Sequence, residues 1–269
     1  MAAPIISVDG LTVVYGGKRV LDQVSLEIEQ GEVMVLLGGS GSGKTTMLRH
    51  IIGLERPTSG TVRVLGTDIN RCSEKELKSI RRHMGVAFQE AALFNSMSIE
   101  ENVSLPVREL TTLADPIIEI MTYMKLAAVG LGESGKQMPR ELSGGMKKRA
   151  AVARATALDP EILVFDEPSA GLDPIVAAGL DDLILLLKRV FNMTMLVVTH
   201  ELASAFKIAD RIAMLYQGSL LAVKSKEEFR ADSNPRIRQF LDRQPDAIGT
   251  STVAQQRLEE LAGISGAKT

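Results

Sequence analysis

An α/β fold with a parallel sheet at its centre is what the sequence predicts, on three observations. The apolar run "VMVLL" (33–37) leads through the glycine-rich "GGSGSGKTT" (38–46) into "MLRHIIGL", whose apolar residues have helical spacing. "EILVFDEP" (161–168) and "MTMLVVTH" (193–200) are further apolar runs, each followed by a helical stretch, and that alternation builds parallel sheets. Hydrophobic residues at 45% and charged residues at 24% fit a globular chain with many buried strands.

The elements follow in order. The opening 5–39 alternates short β-rich runs with Gly, Asp and Gln breaks, which predicts a small antiparallel layer ahead of the strand at 33–37. "PTSGTVRVLGTDI" supplies a turn and another strand. In "CSEKELKSIRR", Ser73 and Glu76 have the spacing of a capping box and mark a helix start. From about 90 to 156 Met, Leu, Ala and Glu dominate, so a mainly helical insert is expected, interrupting one core. After Tyr216 the chain is more polar, and "NPRIRQFLDRQPD" predicts one short helix between prolines. Residues 1–246 thus form one domain, and 247–269 a tail with a helix around "VAQQRLEEL".

With 31 basic against 33 acidic residues, the charge gives no general reason to bind nucleic acid. A single cysteine, Cys72, excludes an internal disulfide framework and fits a reducing compartment. The start "MAAPIISVDG" has no secretory pattern. No window approaches the roughly 18 apolar residues of a membrane helix, so any work at a membrane needs another chain.

Gly38, Gly43, Lys44 and Thr45 satisfy G-x-x-x-x-G-K-[ST], with strand and helix correctly on either side. Glycines let backbone N–H groups converge on phosphate oxygens. Lys44 reaches the outer phosphates, and the Thr45 hydroxyl is a magnesium ligand. Gly38, Gly39, Ser40, Gly41, Ser42, Gly43, Lys44, Thr45 and Thr46 are therefore candidates to hold the phosphates of a nucleotide. "ILVFDE" ends a buried strand in two carboxylates: Asp166 is placed to hold magnesium through water, and Glu167 to act as general base on the attacking water. In "ELSGGM", Ser143 caps a helix, while Gly144 and Gly145 expose its first N–H groups. An ordinary capped helix and a second phosphate-facing surface fit that segment equally. The cations Lys147, Lys148, Arg149 and Arg154 that follow read as a solvated face with helix-packing stems.

"LSGGM", standing between a phosphate loop and "VFDEP", resembles the signature motif of ATP-binding cassette ATPases, and the resemblance covers nearly all of residues 5–225. It implies a P-loop NTPase (RecA-like) core with an N-terminal antiparallel β layer and a helical subdomain insert. Tyr15 resembles the aromatic residue that stacks on adenine. Gln89 in "VAFQE" resembles the Q-loop, which implies a contact with magnesium and the attacking water. "SAGLD", ending at Asp173, resembles the D-loop, and His200 the switch histidine of the terminal phosphate. In that family two cassettes close head to tail around two ATP molecules, each Ser143–Gly144–Gly145 equivalent contacting the nucleotide of the opposite chain.

Soluble cassette ATPases of DNA repair separate their halves by a long coiled coil, and translation-linked ones carry two cassettes. Here Gln89 and Ser143 lie close, in one cassette, so a transporter subunit is expected, docked on a membrane permease near the Q-loop. Leu93, Phe94 and Met97 offer either an apolar socket for a permease helix or packing within the insert. "ALFNSMSIEENVSLPVRE", "MPRELSGGMKKRAAVARA", "FDEPSAGLDPI" and "NPRIRQFLD" are similar to ATPases of the Mla type of lipid transporter, with Met146 and Gly171 as subgroup features. That implies phospholipid movement between inner and outer membranes, a permease, an MCE lipid-binding protein, and a place on the cytoplasmic face of the inner membrane. Import of amino acids or another small solute is the alternative. For the tail, the second cassette and a small regulatory subunit are both open as docking places.

Overall fold

The computed structural model describes residues 3–245. Its packing divides after Phe229 into two compact units.

In the first unit, β1 (Ile6–Tyr15) and β2 (Lys18–Ile28) form an antiparallel hairpin, joined by β4 (Ser59–Val64) and the short β5 (Thr67–Asp68) in the order β2-β1-β4-β5. Along β1 the residues Ile6, Val8, Leu11 and Val13 turn inward, the alternating burial of a sheet covered on one side, with a register shift between Val8 and Leu11. The second sheet runs β10-β9-β3-β8-β7-β6, from β3 (Val33–Leu37), β6 (Met84–Ala87), β7 (Ile162–Asp166), β8 (Thr194–Thr199), β9 (Arg211–Tyr216) and β10 (Ser219–Ser225). All its pairings are parallel except β10 on β9. Every residue of β3, β7 and β8 is buried, as central strands covered on both faces must be.

Helix α1 (Lys44–Ile51) follows β3, and its Met47, Leu48 and Ile51 join Met34 and Leu36 with the inward face of the antiparallel layer in one core. α2 (Glu74–Arg82) starts at the expected capping box, with Ser73 and Glu76 bonded reciprocally. The region expected to be helical holds α3 (Ile99–Leu110), α4 (Asp115–Ala128) and α5 (Gly144–Ala155), with a small core of its own around Val107, Ile118 and Ala157. α6 (Pro174–Phe191), α7 (Leu202–Ile208) and α8 (Lys226–Arg230) complete the helices that follow β7, β8 and β10.

The second unit contains the helix expected between prolines, α9 (Pro235–Leu241), capped by Asn234, whose side chain accepts the Arg236 N–H. The expected helix around "VAQQRLEEL" lies outside the described residues. Among the described residues, no helix is long and apolar enough to cross a membrane.

Candidate functional site

Parallel register brings four strand ends level. Leu37 of β3 pairs with Thr199 of β8, Asp166 of β7 with Val198, and Phe165 of β7 with Ala87 of β6. The phosphate loop, Gln89, Asp166, Glu167 and His200 all emerge from this carboxyl edge, where open α/β sheets bind ligands.

Within the loop, Gly38 has φ +157° and lies so close to the Leu215 carbonyl that a Cβ would stand 2.4 Å from its oxygen. Gly43 has φ +105°, and its Cβ would meet Leu21 Cδ2 at 2.6 Å. Only glycine fits either position. Gly39, Ser40, Gly41 and Thr45 are exposed, Thr46 is half-buried, and Ser42 Oγ is buried without a hydrogen-bond partner among the described residues. Lys44 curls back onto its own loop and donates to the Gly38 and Gly39 carbonyls at 2.8 and 3.0 Å. Its Nζ also lies 3.7 Å from Glu167 Oε1. Burial pushes the Lys44 ammonium below the usual lysine range, against the pull of Glu167 and Asp166.

Glu167 has φ +47°, a left-handed conformation that is uncommon for a residue with a side chain. Its backbone N–H donates to Val198 O at 2.9 Å, and His200 N–H donates to Oε2 at 3.3 Å. The His200 ring meets the same oxygen through Nδ1 at 2.8 Å. An ionised carboxylate only accepts, so Nδ1 carries the proton and Nε2 faces outward from the pair. Asp166 beside it is buried, and its Oδ1 has no partner among the described residues. Burial raises the Asp166 carboxyl above the usual range, and the adjacent Glu167 charge adds to this.

Gln89 is exposed just beyond β6, and its carbonyl accepts a hydrogen bond from Lys148 Nζ. Tyr15, at the end of β1, is 45% exposed, and its hydroxyl donates to Glu55, itself paired with Arg49. Burial and the Glu55 carboxylate push the phenol up to about 12.

Ser143 caps α5, its Oγ accepting the Met146 N–H at 3.3 Å, and its own O–H remains available as a donor. Gly144 would bring a Cβ to 3.6 Å from Leu172, whereas at Gly145 the Cβ would fall 2.4 Å from Val176 Cγ1. Gly145 is therefore required for the close approach of α5 and α6, a demand that "SGG" does not announce. Asp173 caps α6, accepting the Ile175 and Val176 N–H groups at 3.0 Å each.

One expectation needs correction. The cations after "SGGM" are not a solvated face, because three of them end on backbone carbonyls. Lys148 reaches Gln89 and Glu167, Arg149 reaches Val129 and Gly179, and Arg154 reaches Ala91 and Ala92. Phe94 lines an apolar groove of about 430 Å³ with Phe88, Leu105, Pro106 and Leu110, and Met97 lines a cavity within the insert.

Hydrolysis of a nucleoside triphosphate is the chemistry for which this sheet edge is arranged, and the class is that of the ATP-binding cassette ATPases. The chain belongs to the ABC transporter family, whose model matches residues 21–170. It is 38% identical over 258 residues to the intermembrane phospholipid transport system ATP-binding protein MlaF of Haemophilus influenzae, covering 96% of this chain and 98% of that protein. It is also 44% identical over 247 residues to the probable ribonucleotide transport ATP-binding protein mkl of Mycobacterium tuberculosis, covering 91% of this chain and 69% of that one. Among solved structures, the ATP-binding cassette MJ0796, a dimer in a post-hydrolysis state with ADP and Pi, superposes with a TM-score of 0.76 at 30% identity. That match covers 82% of this chain and 98% of the other. The cbiO1 protein of Clostridium perfringens, part of the transporter complex cbiONQ, gives 0.79 at 25% identity, covering 96% of this chain and 100% of its own.

Proposed function

We propose that this ATPase is the energy-coupling subunit of a phospholipid transporter working between inner and outer membranes, together with a permease and an MCE lipid-binding protein. The observation that carries the reading is the match to MlaF along almost the whole of both chains. The apolar groove beside Gln89, lined by Phe88 and Phe94, is the docking place for the permease, which puts the protein on the cytoplasmic face of the inner membrane. The similarity to mkl, a probable ribonucleotide transport ATP-binding protein, supports a second reading, transport of a small solute.

Two copies act together in this reading. In each, the loop from Gly38 to Thr46 and Lys44 enclose the triphosphate, Tyr15 stacks on the adenine, and the partner's Ser143–Gly144–Gly145 turn and Asp173 close the pocket. The orphaned, buried Asp166 oxygen and the exposed Thr45 hydroxyl suit a magnesium site, which Gln89 completes. When bound, magnesium offsets phosphate charge. Glu167 takes the proton of the attacking water, and His200 holds that carboxylate through Nδ1–H and donates to the terminal phosphate when Nε2 also carries a proton.

Purification from the native membrane with identification of co-purifying chains and lipid by mass spectrometry tests the assignment. A permease with an MCE protein and phospholipid is expected. A periplasmic solute receptor in their place would favour the second reading.

A further inference from the structure

Helix α5 starts at Ser143, yet its cations reach the other side of the site. Lys148 Nζ donates to the carbonyl of Gln89 and, at 3.3 Å, to that of Glu167. These three residues come from three different places: the signature helix, the loop after β6 and the end of β7. The Glu167 carbonyl has a second donor, Ala170 N–H at 3.2 Å, but Lys148 is the donor found for the Gln89 carbonyl.

The loop that Lys148 grips does not hold its own shape cheaply. Ala91 and Ala92 have φ of +60° and +49°, consecutive left-handed residues in a conformation unfavourable for any side chain with a Cβ. Arg154, also from α5, clamps both of their carbonyls, at 3.0 and 2.7 Å, and its guanidinium lies 5.9 Å from the centre of the Phe94 ring. The loop from Phe88 to Phe94 is therefore fastened to α5 at both ends, by Lys148 at Gln89 and by Arg154 beyond it.

From this juxtaposition we infer that Lys148 is a positioning residue for hydrolysis, a tie that sets Gln89 and Glu167 relative to the signature helix, so that the base is in place only when α5 is seated. This rests on the two-copy hydrolysis scheme proposed above. Lys148 makes no phosphate contact in this scheme. It acts through the two carbonyls it holds, and its side chain links the turn by which one copy completes its partner's pocket to the base with which the same copy activates water in its own.

The test compares the full chain with its Lys148→Met, Lys148→Gln and Lys148→Arg variants, measuring ATP turnover with magnesium, equilibrium ATP binding and thermal unfolding. Losing a charged donor to two carbonyls should lower kcat of Lys148→Met at least about tenfold, with KM and ATP affinity changed less than about twofold. Lys148→Arg, which keeps the donors and the charge, should recover most of the rate, and Lys148→Gln, should the methionine variant fail to fold, should fall between. Wild-type kcat in the Met and Gln variants, a rise in KM matching the loss of rate, or an Arg variant no better than Met would each overturn the tie. Absence of turnover in the wild-type chain would overturn the two-copy hydrolysis scheme proposed above, a different result from an active chain indifferent to Lys148.

Discussion

Glu167 Oε2 and His200 Nδ1 stand 2.8 Å apart, one residue beyond β7 and one beyond β8, on strands whose ends are level. Two groups so joined act as a unit. Glu167→Gln should retain ATP binding, lose at least about a hundredfold in kcat, and accumulate as a closed dimer. Adding His200→Ala should cost little more than the first change. Steady-state assays and size-exclusion chromatography with ATP decide it, and brisk turnover by Glu167→Gln would refute the base assignment.

Tyr15 is exposed, with its hydroxyl held by Glu55. Tyr15→Ala should weaken nucleotide binding at least about fivefold, while Tyr15→Phe stays close to wild type, because stacking needs the ring and not the hydroxyl. A spectrophotometric titration provides an independent check. With its folded pKa raised to about 12, Tyr15 contributes stability present below the unfolded value and lost as pH rises through the folded one. Glu55→Gln should move the transition down towards the ordinary tyrosine range.

Asp166 keeps a buried carboxyl oxygen without a partner. Asp166→Asn should fold and bind ATP in EDTA as wild type does. The gain in ATP affinity on adding magnesium, measured by calorimetry, should shrink by about tenfold or more. An unchanged gain would remove Asp166 from the metal site.

Gly145 is pressed against Val176, and the clash of a Cβ outweighs the roughly 1 kcal/mol of helix propensity that alanine gains over glycine. Gly145→Ala alone should lower both melting temperature and turnover. Gly145→Ala with Val176→Ala should restore much of each. Failure of the pair to exceed the single variant would show that the glycine is needed only for its bare N–H groups.

Asp181 is buried on α6, accepts a hydrogen bond from Ser204 Oγ, and is pushed by burial above the usual carboxylate range, with Ser204 and Lys207 opposing. A raised folded pKa means that its contribution to stability is full below the unfolded pKa and is lost as pH rises through the folded value. Asp181→Asn should flatten that part of the stability curve and be as stable as wild type, or about 1 kcal/mol more, at neutral pH. Denaturant melts across pH 4–8 would reveal a steeper dependence if this is wrong.

Strands β3, β7 and β8 were legible because burial on both faces writes an unbroken apolar run, and the loops that follow them carry motif residues at fixed offsets. The hairpin of β9 and β10 was not, since β10 is half-buried from Leu220 to Ser225 and its sequence shows no clean period. At four residues, β6 is too short for any pattern. Chemistry located Glu167 at its strand end and the family resemblance singled out His200, but no local signal ties Tyr15 to Glu55 across 40 residues or Lys148 to Gln89 across 59. A lysine destined for two carbonyls is spelled like one destined for water, and only the packing of α5 separates them.

The level strand ends also decide where such a chain tolerates changes in length. One residue added inside β7 or β8 would advance its end by about 3.3 Å and turn its side chains to the opposite face, parting the carboxylate from the imidazole. The turns between α3 and α4, or ahead of Ser143, can lengthen without displacing either group. Natural insertions and deletions should accordingly collect in the connecting segments of the insert and stop short of the four strands, which makes indel position a gauge of which distant copies still burn ATP.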